Sequence, residues 1–182
     1  MMEVGKYYHV YNRSVNREAL FKEPRNYLFF LDKYRHYCSK HLDTLSYCLM
    51  PNHFHLFVRV KADQEEYLVA NAFKNLFISY AKAINESYGR IGSLFQNRYK
   101  RKEIDSDAYF SMIIAYIHLN PLRAGLAKQP EDWKYSSYPA LIGNQSTQLR
   151  RKEVLHWFGG LDEFIKFHQT CQSDDDARKL LF

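Results

Sequence analysis

The amino-acid sequence predicts an α+β fold in which one largely antiparallel sheet is covered by helices. Stretches rich in Tyr, Val, Leu and Phe, typical of strands, occur at residues 6–13, 44–50 and 53–60. Amphipathic helical patterns occupy residues 24–40 and 63–88. With a fourth strand candidate at residues 98–102, the order is β-α-β-β-α-β, which is that of a ferredoxin-like sheet with two helices on one face.

Length and composition favour a single domain with a substantial core. The chain has 182 residues, of which 46% are hydrophobic and 16% aromatic, and domains commonly have about 100–200 residues. The net charge of +6 and the 15 tyrosines favour a polyanionic partner, nucleic acid first. A basic protein without such a partner has the same composition, so this indication alone is weak.

Cysteine usage and the lack of long apolar runs indicate where the chain works. Its three cysteines form no C-x-x-C pair, which argues against a disulfide framework or a structural zinc site and favours a reducing cytosol. The N-terminus lacks the apolar core of a signal peptide, and no apolar run approaches a membrane span in length. We therefore expect a cytoplasmic protein without a membrane partner.

The helices are predicted from apolar residues that recur every three or four positions. In the first helix, Pro24 suits the first helical position, and Tyr27 and Phe30 lie on one face. The second opens on acidic residues at 63–66 and is expected to stop at Gly89.

The last part of the chain is less regular. It contains four closely spaced positive charges, Arg98, Lys100, Arg101 and Lys102. They indicate a solvated edge, an edge strand protected by charge, or a DNA contact. A third helix from about residue 107 is expected to end at Asn120-Pro121, because the residue before proline avoids the helical region. One or two helices are expected within residues 151–182, with a helix start or loop at 173–176.

Two histidines open the third strand. His53 and His55 are two positions apart, so their side chains lie on one face of the strand, while Phe54 points into the core. Such a pair beside the Pro51-Asn52 turn can hold one divalent metal; the alternative is a pair of ordinary half-buried histidines. Two histidines leave a metal underligated, so a third protein ligand and open positions are expected, and Mg²⁺ or Mn²⁺ accepts an amide together with phosphate oxygens.

Tyr116 and Asn120 are four positions apart on the predicted third helix and therefore share a face. Delivered to the histidine pair, they supply a nucleophile and an amide ligand. A phenol is a weak nucleophile at its usual pKa of about 10, and a nearby cation favours the phenolate. On periodicity alone Tyr116 is also a core candidate, since it is in register with Met112 and Ile113.

Five stretches resemble motifs of the HUH endonucleases, in the form found in the REP-associated tyrosine transposase group. They are HVYNR (9–13), MPNHFH (50–55), GSLFQNRY (92–99), YIHLNP (116–121) and WKYSSY (133–138). They resemble, in that order, the family's first strand, its His-hydrophobic-His signature, its Gly-x-Leu-Phe-Gln-x-Arg-aromatic segment, its Tyr-Ile-His-x-Asn-Pro signature and its Trp-x-x-Ser-Ser-Tyr stretch. The resemblance covers about residues 6–140.

The resemblance implies a fold, an activity and roles for particular residues. Residues 1–140 are expected to form an HUH transposase domain, and 141–182 a C-terminal extension of it. The implied activity is cleavage and strand transfer of single-stranded DNA near a palindromic hairpin, through a 5′-phosphotyrosine on Tyr116. The implied ligands of the divalent metal, Mg²⁺ or Mn²⁺, are His53, His55 and Asn120. The expected DNA contacts are Asn12, Arg13, Asn52, Gln96, Arg98, Lys100, Arg101 and Lys102.

The chain departs from the family's pattern at Ser14 and Asn97, where glycine is common, and the first is expected to alter a tight turn near the site. Other functions remain open. A replication-initiator or relaxase-like HUH protein is disfavoured by the small size and by the YIHLNP stretch. A catalytically silent hairpin-DNA binder keeps the same residues, and a ferredoxin-like regulator needs no DNA. We expect a monomer, because the C-terminal residues can cap the surface that dimeric relatives use.

Overall fold

The computed structural model describes residues 2–62 and 64–172, and its elements follow the predicted order. The strands are β1 (Tyr7–Arg13), β2 (Leu42–Met50), β3 (His53–Val60) and β4 (Lys100–Ile104). The helices are α1 (Pro24–Cys38), α2 (Glu66–Tyr88), α3 (Asp107–Arg123), α4 (Tyr138–Ile142), α5 (Arg151–Phe158) and α6 (Leu161–Gln172). The predicted α+β class is confirmed.

The four strands form one sheet in the order β2-β3-β1-β4, with every neighbouring pair antiparallel. The short Pro51-Asn52 turn joins β2 and β3 as a hairpin, and β1 and β3 are the central strands, as the ferredoxin-like order predicts. Tyr11 stands opposite His55, and His9 stands opposite Lys102. Because directly opposed residues project to the same face, the side chains of β1, β3 and β4 that belong to the candidate site meet on one side of the sheet.

Each face of the sheet has its own hydrophobic core. On one face Phe54 and Leu56 pack against α1 and α2, where Phe30 and Phe73 are fully buried. On the other face Phe57 belongs to a second core, built with α3. The predicted alternation of β3 is therefore confirmed, and His53 and His55 lie on the α3 side.

The C-terminal helices pack on α3 and extend the second core. Val154 of α5 and Phe164 of α6 are fully buried there. A buried chain of hydrogen bonds links His168 Nε2 to His118 Nδ1 at 2.9 Å, and His118 Nε2 to Ser137 Oγ at 2.7 Å. One or two helices were expected within residues 151–182, and two are present, whereas 173–176 lies outside the described residues. None of the described helices combines the length and apolarity that crossing a bilayer requires.

The prediction that Asn120-Pro121 ends the third helix is wrong, because α3 continues to Arg123. The preference against helix before proline is a bias that kinked or terminal helices override. The turn after the proline is closed by Ala124 N–H, which donates to Asn120 O at 3.0 Å, and by Leu126 N–H, which donates to Pro121 O at 2.8 Å. The extra turn places Arg123 seven residues after Tyr116, on the same helical face.

Candidate active site

A cavity of about 300 Å³ opens between β1, β3 and the C-terminal half of α3. Its lining residues are Tyr11, Asn12, Arg13, Met50, His53, His55, Tyr116, Asn120, Arg123 and Ala124. The histidine pair, the tyrosine and the amide singled out in the sequence thus surround one space. A larger cavity of about 740 Å³ lies at the outer edge of β2, but none of these four residues lines it.

In both histidines the Nδ1 atom is engaged by a neighbouring side chain. His53 Nδ1 lies 2.7 Å from Asn52 Oδ1, and because an amide oxygen only accepts, His53 Nδ1 carries the proton. His55 Nδ1 lies 2.9 Å from His9 Nε2. With both Nδ1 atoms engaged, Nε2 is the nitrogen left to ligate in each ring. Such partners fix the tautomer and the orientation of a metal-binding imidazole.

Burial keeps all three imidazoles neutral at pH 7. It lowers the pKa of His53 to about 4, and the nearby Arg13 charge acts in the same direction. It lowers the pKa of His9 to about 3, with a further effect of Lys102. Burial also holds the pKa of His55 well below its ordinary value, reinforced by His9, His53 and Arg13. Neutral rings keep the lone pairs that a metal requires.

Tyr116 meets the histidines edge-on from α3. Its ring centroid lies 5.6 Å from that of His55 and 6.1 Å from that of His9. The Arg123 guanidinium lies 5.6 Å from the centre of the same ring. Tyr116 is 8% exposed and contributes to the α3 core. Its ring is therefore part of the core, as its helical periodicity predicts, and also lines the cavity with the histidines.

The donor set fits a divalent ion. Among the residues that the structure describes, no three His, Cys, Asp or Glu side chains are grouped to hold a metal, so a third ligand of those types does not stand beside the pair. Asn120 lines the cavity, and its Nδ2 donates to Tyr116 O at 2.8 Å, which leaves its Oδ1 for other partners. Two imidazole nitrogens and one amide oxygen form a mixed nitrogen and oxygen donor set, which can hold a divalent ion and leaves positions open for phosphate oxygens.

The expected DNA contacts near the first strand differ in their exposure. Arg13 is exposed and lines the cavity. Asn12 also lines it but is only 6% exposed; its Oδ1 accepts from Arg13 N–H at 2.9 Å and its Nδ2 donates to Gln96 O at 3.4 Å. Gln96 is exposed beside Arg13, since its N–H donates to Arg13 O at 2.9 Å. Asn12 therefore holds the 92–97 loop against β1, and Arg13 presents a charge to the cavity.

The four-cation run is divided between two sides of the sheet. It forms the edge strand β4 and the residues before it, which confirms the edge-strand interpretation. Lys100 and Lys102 stand opposite Tyr11 and His9 and share their face with the candidate site. Arg98 and Arg101 line a separate cavity of about 300 Å³ beside α2. The run therefore does not form one continuous patch.

Three residues at the site were not given a role from the sequence: His9, Tyr11 and Arg123. His9, Tyr11 and Arg13 lie two positions apart on β1, which places them on one face of the strand. Because β1 was expected beside β3, this spacing could have indicated that His9 and Tyr11 lie near the histidine pair. Arg123 was missed because the helix was expected to end before it.

The Ser14 departure needs no glycine, since its backbone is extended with φ −66°. Left-handed backbone appears two residues later, at Asn16 and Arg17.

The fold and the motifs at this cavity define a class of DNA transposases. Residues 4–120 match the model of the family described as Transposase IS200 like. This match covers well over half of the chain, so the chain belongs to that family, and the resemblance drawn from the motifs is confirmed.

Two relatives refine the comparison. A protein of Haemophilus influenzae named "Putative REP-associated tyrosine transposase" is 24% identical over 119 residues, which are 60% of this chain and 66% of the relative. The match thus spans just under two thirds of that protein. A solved structure described as a REP-associated tyrosine transposase bound to a REP hairpin has a TM-score of 0.65 at 15% identity, over 78% of this chain and 82% of that one. This likeness confirms the ferredoxin-like α+β fold.

Proposed function

We propose that the chain cleaves and rejoins single-stranded DNA beside a palindromic hairpin, with Tyr116 as the nucleophile. The observation that carries the proposal is that Tyr116 lines one cavity with His53, His55 and Asn120, its ring 5.6 Å from that of His55. Membership of a transposase family supports DNA strand transfer. The REP hairpin bound to the solved relative supports a hairpin substrate.

In the proposed reaction the Tyr116 hydroxyl oxygen attacks the scissile phosphorus. A bond forms between the phenol oxygen and the 5′ phosphate, the bond to the 3′ oxygen breaks, the phenol proton is released, and the departing 3′ oxygen takes up a proton. Attack of a 3′-hydroxyl from another end reverses the step and joins the strands. The phosphotyrosine conserves the phosphodiester bond, so rejoining needs no external energy source.

The surrounding side chains have distinct tasks in this reaction. His53, His55 and Asn120 would hold a divalent ion, Mg²⁺ or Mn²⁺, which would supply Lewis-acid polarisation of a phosphate oxygen. Arg13 and Arg123 line the same cavity and offset the charge of the phosphate. Arg123, close to the Tyr116 ring, also favours negative charge on the phenol oxygen as the new bond forms.

The test is a covalent adduct that survives denaturation. A hairpin with a single-stranded extension, selected from a randomised pool for binding to this protein, is labelled and incubated with Mg²⁺ or Mn²⁺. The wild-type chain is expected to give a protein–DNA adduct on a denaturing gel, and Tyr116→Phe is expected to give none, because the attacking oxygen is absent. The matched control is Tyr109→Phe, a tyrosine of the same helix that is 40% exposed, which is expected to retain the adduct.

Two outcomes contradict the proposal. An adduct that persists in Tyr116→Phe removes the nucleophile assignment. Tight binding of the selected hairpin without any adduct, with either metal, favours a catalytically silent hairpin-DNA binder instead.

A further inference from the structure

Six arginines of the described chain have partners within the fold. Carboxylates pair with Arg25, Arg35, Arg59, Arg90 and Arg150. Arg151 donates to backbone carbonyl oxygens. The exceptions within residues 2–62 and 64–172 line cavities, and they are Arg13, Arg17, Arg98, Arg101 and Arg123. Glu66 lines the cavity beside α2 together with Arg98 and Arg101, so among the described residues it is the arginines at the candidate active site that have no carboxylate beside them.

Arg17 stands in a compartment next to the site. A cavity of about 220 Å³ is lined by Arg13, Arg17, Asn52 and His53. It shares Arg13 and His53 with the larger cavity that holds Tyr116, so the two spaces adjoin. Among the residues that the structure describes, no carboxylate lines either of them. This second compartment is thus a small basic space that adjoins the cavity of Tyr116 and is not lined by the tyrosine itself.

The backbone that carries Arg17 is held in an unfavourable conformation. Asn16 and Arg17 have φ of 54° and 57°, a left-handed geometry that costs free energy in side-chain-bearing residues. Such strain persists where the surroundings impose it, commonly at functional sites. Here Ser14 N–H donates to Asn52 O at 2.9 Å, and Asn52 Nδ2 faces Arg17 O at 3.5 Å. The turn is thus fixed against the residue that also orients His53.

We propose that Arg13 and Arg17 form a phosphate-binding subsite, which takes a phosphodiester group of the bound single strand next to the one that Tyr116 attacks. The proposal rests on the proposed function, because it concerns the same substrate. Guanidinium groups present a planar fork of donors that matches phosphate oxygens. Two of them line this compartment, and no carboxylate within residues 2–62 and 64–172 lines it with them. The subsite fixes the strand on one side of His53, and Arg13 contacts both compartments.

Binding measurements that involve no cleavage test the subsite. All proteins carry Tyr116→Phe, and the probe is the selected hairpin with one phosphate at a time replaced by an uncharged methylphosphonate. We expect one position in the single-stranded part where this replacement weakens binding roughly tenfold. Adding Arg17→Gln should weaken binding of the unmodified probe by a similar factor and abolish the effect at that position alone. The slope of log K against log salt should fall by about 0.7, as one single-strand phosphate contact is lost.

Two further variants separate the effect of the charge from that of the guanidinium geometry and control for the loss of an arginine elsewhere. Arg17→Lys keeps the charge but loses the fork, so the salt slope should stay near that of the parent while affinity falls. Arg25→Gln removes an arginine that is 72% exposed and paired with Glu23, and it should leave affinity, slope and the methylphosphonate profile unchanged. Circular dichroism checks the fold of each variant. Should Arg17→Gln fail to fold, Arg17→Lys tests the subsite instead: reduced affinity with the parent's salt slope supports it, and the parent's affinity contradicts it.

The subsite is overturned if Arg17→Gln binds the probe with the affinity, slope and methylphosphonate profile of its parent. Its failure is distinguishable from failure of the nuclease proposal. An Arg17-dependent position together with no phosphotyrosine adduct in the wild type retains the subsite and removes the catalytic role. An adduct without such a position removes the subsite alone.

Discussion

At the scale of single residues, each histidine that faces the cavity has its Nδ1 held by a different kind of group. The Asn52 oxygen can only accept, so it fixes the proton of His53 without ambiguity. His9 can donate or accept through Nε2. If His55 ligates through Nε2, His9 must accept from His55 Nδ1–H and carry its own proton on Nδ1. We therefore propose that His9 is a positioning residue for His55 and not a ligand itself.

Removing His9 is expected to weaken metal binding. In His9→Ala the buried His55 Nδ1 loses its acceptor, so its tautomer and orientation are no longer fixed. Loss of such an outer partner typically lowers metal affinity by about 10–100-fold, which calorimetry or Mn²⁺ electron paramagnetic resonance measures without any reaction. His9→Gln, whose amide oxygen can accept, should recover part of the affinity.

The control for this measurement is His36→Ala, because His36 is exposed on α1 and contacts no residue of the site. It should bind metal as the wild-type chain does. Wild-type affinity in His9→Ala, with a circular dichroism spectrum like that of the parent, contradicts the positioning role.

For the helices and strands, the sequence predicted the features that depend on residues close together in the chain. The period of two placed His53 and His55 on one face, and the spacing of four placed Tyr116 and Asn120 together, because both depend only on backbone geometry. The end of α3 could not be predicted, since the preference of residues before proline is weaker than the contacts that continue the helix. The His118–His168 hydrogen bond joins residues 50 positions apart, and no local pattern specifies it.

This buried pair makes the packing of α6 on α3 sensitive to acid. Burial lowers the pKa of His168 to about 4 and that of His118 well below its ordinary value. In the unfolded chain both take up protons near pH 6.5. Their stabilising contribution is therefore complete above about pH 6.5 and decreases as the pH falls from there towards 4. For His168 the full loss is at most about 3 kcal/mol.

Urea unfolding at a series of pH values from 7.5 to about 4.5 checks this expectation. The free energy of unfolding should fall with acidification in the wild-type chain. His168→Leu should be less stable at neutral pH, because His118 loses a partner, but its dependence on pH should be shallower. His36→Leu changes an exposed ring and should follow the wild-type curve. Equal pH dependence in His168→Leu and the wild type contradicts a role for His168 in acid sensitivity.

At the scale of the whole molecule, α3 connects the candidate site to the C-terminal helices. Tyr116 faces the cavity, while His118, two residues later, joins the buried chain that reaches α6 and Ser137. Arg59 adds a second link, since it pairs with Asp43 of β2 and Glu153 of α5, both at 2.6 Å. We propose that residues 141–172 belong to the same domain as the sheet and hold the face of α3 that lies away from the cavity.

Within one chain, Tyr116, His53 and His55 line the same cavity, and we propose that the site acts without a second copy. Tyr116→Phe retains the histidines, and His55→Ala retains the tyrosine. If catalysis needs both within one chain, a mixture of the two variants, unfolded and refolded together, gives no covalent adduct with the hairpin probe. A parallel mixture of wild type with His55→Ala should give adduct in proportion to the wild-type share.

Adduct formation by the two inactive variants together contradicts the self-contained site and shows that tyrosine and histidines from different chains meet. Sedimentation of the wild-type chain at 21.8 kDa is the mass expected of the monomer that this arrangement permits.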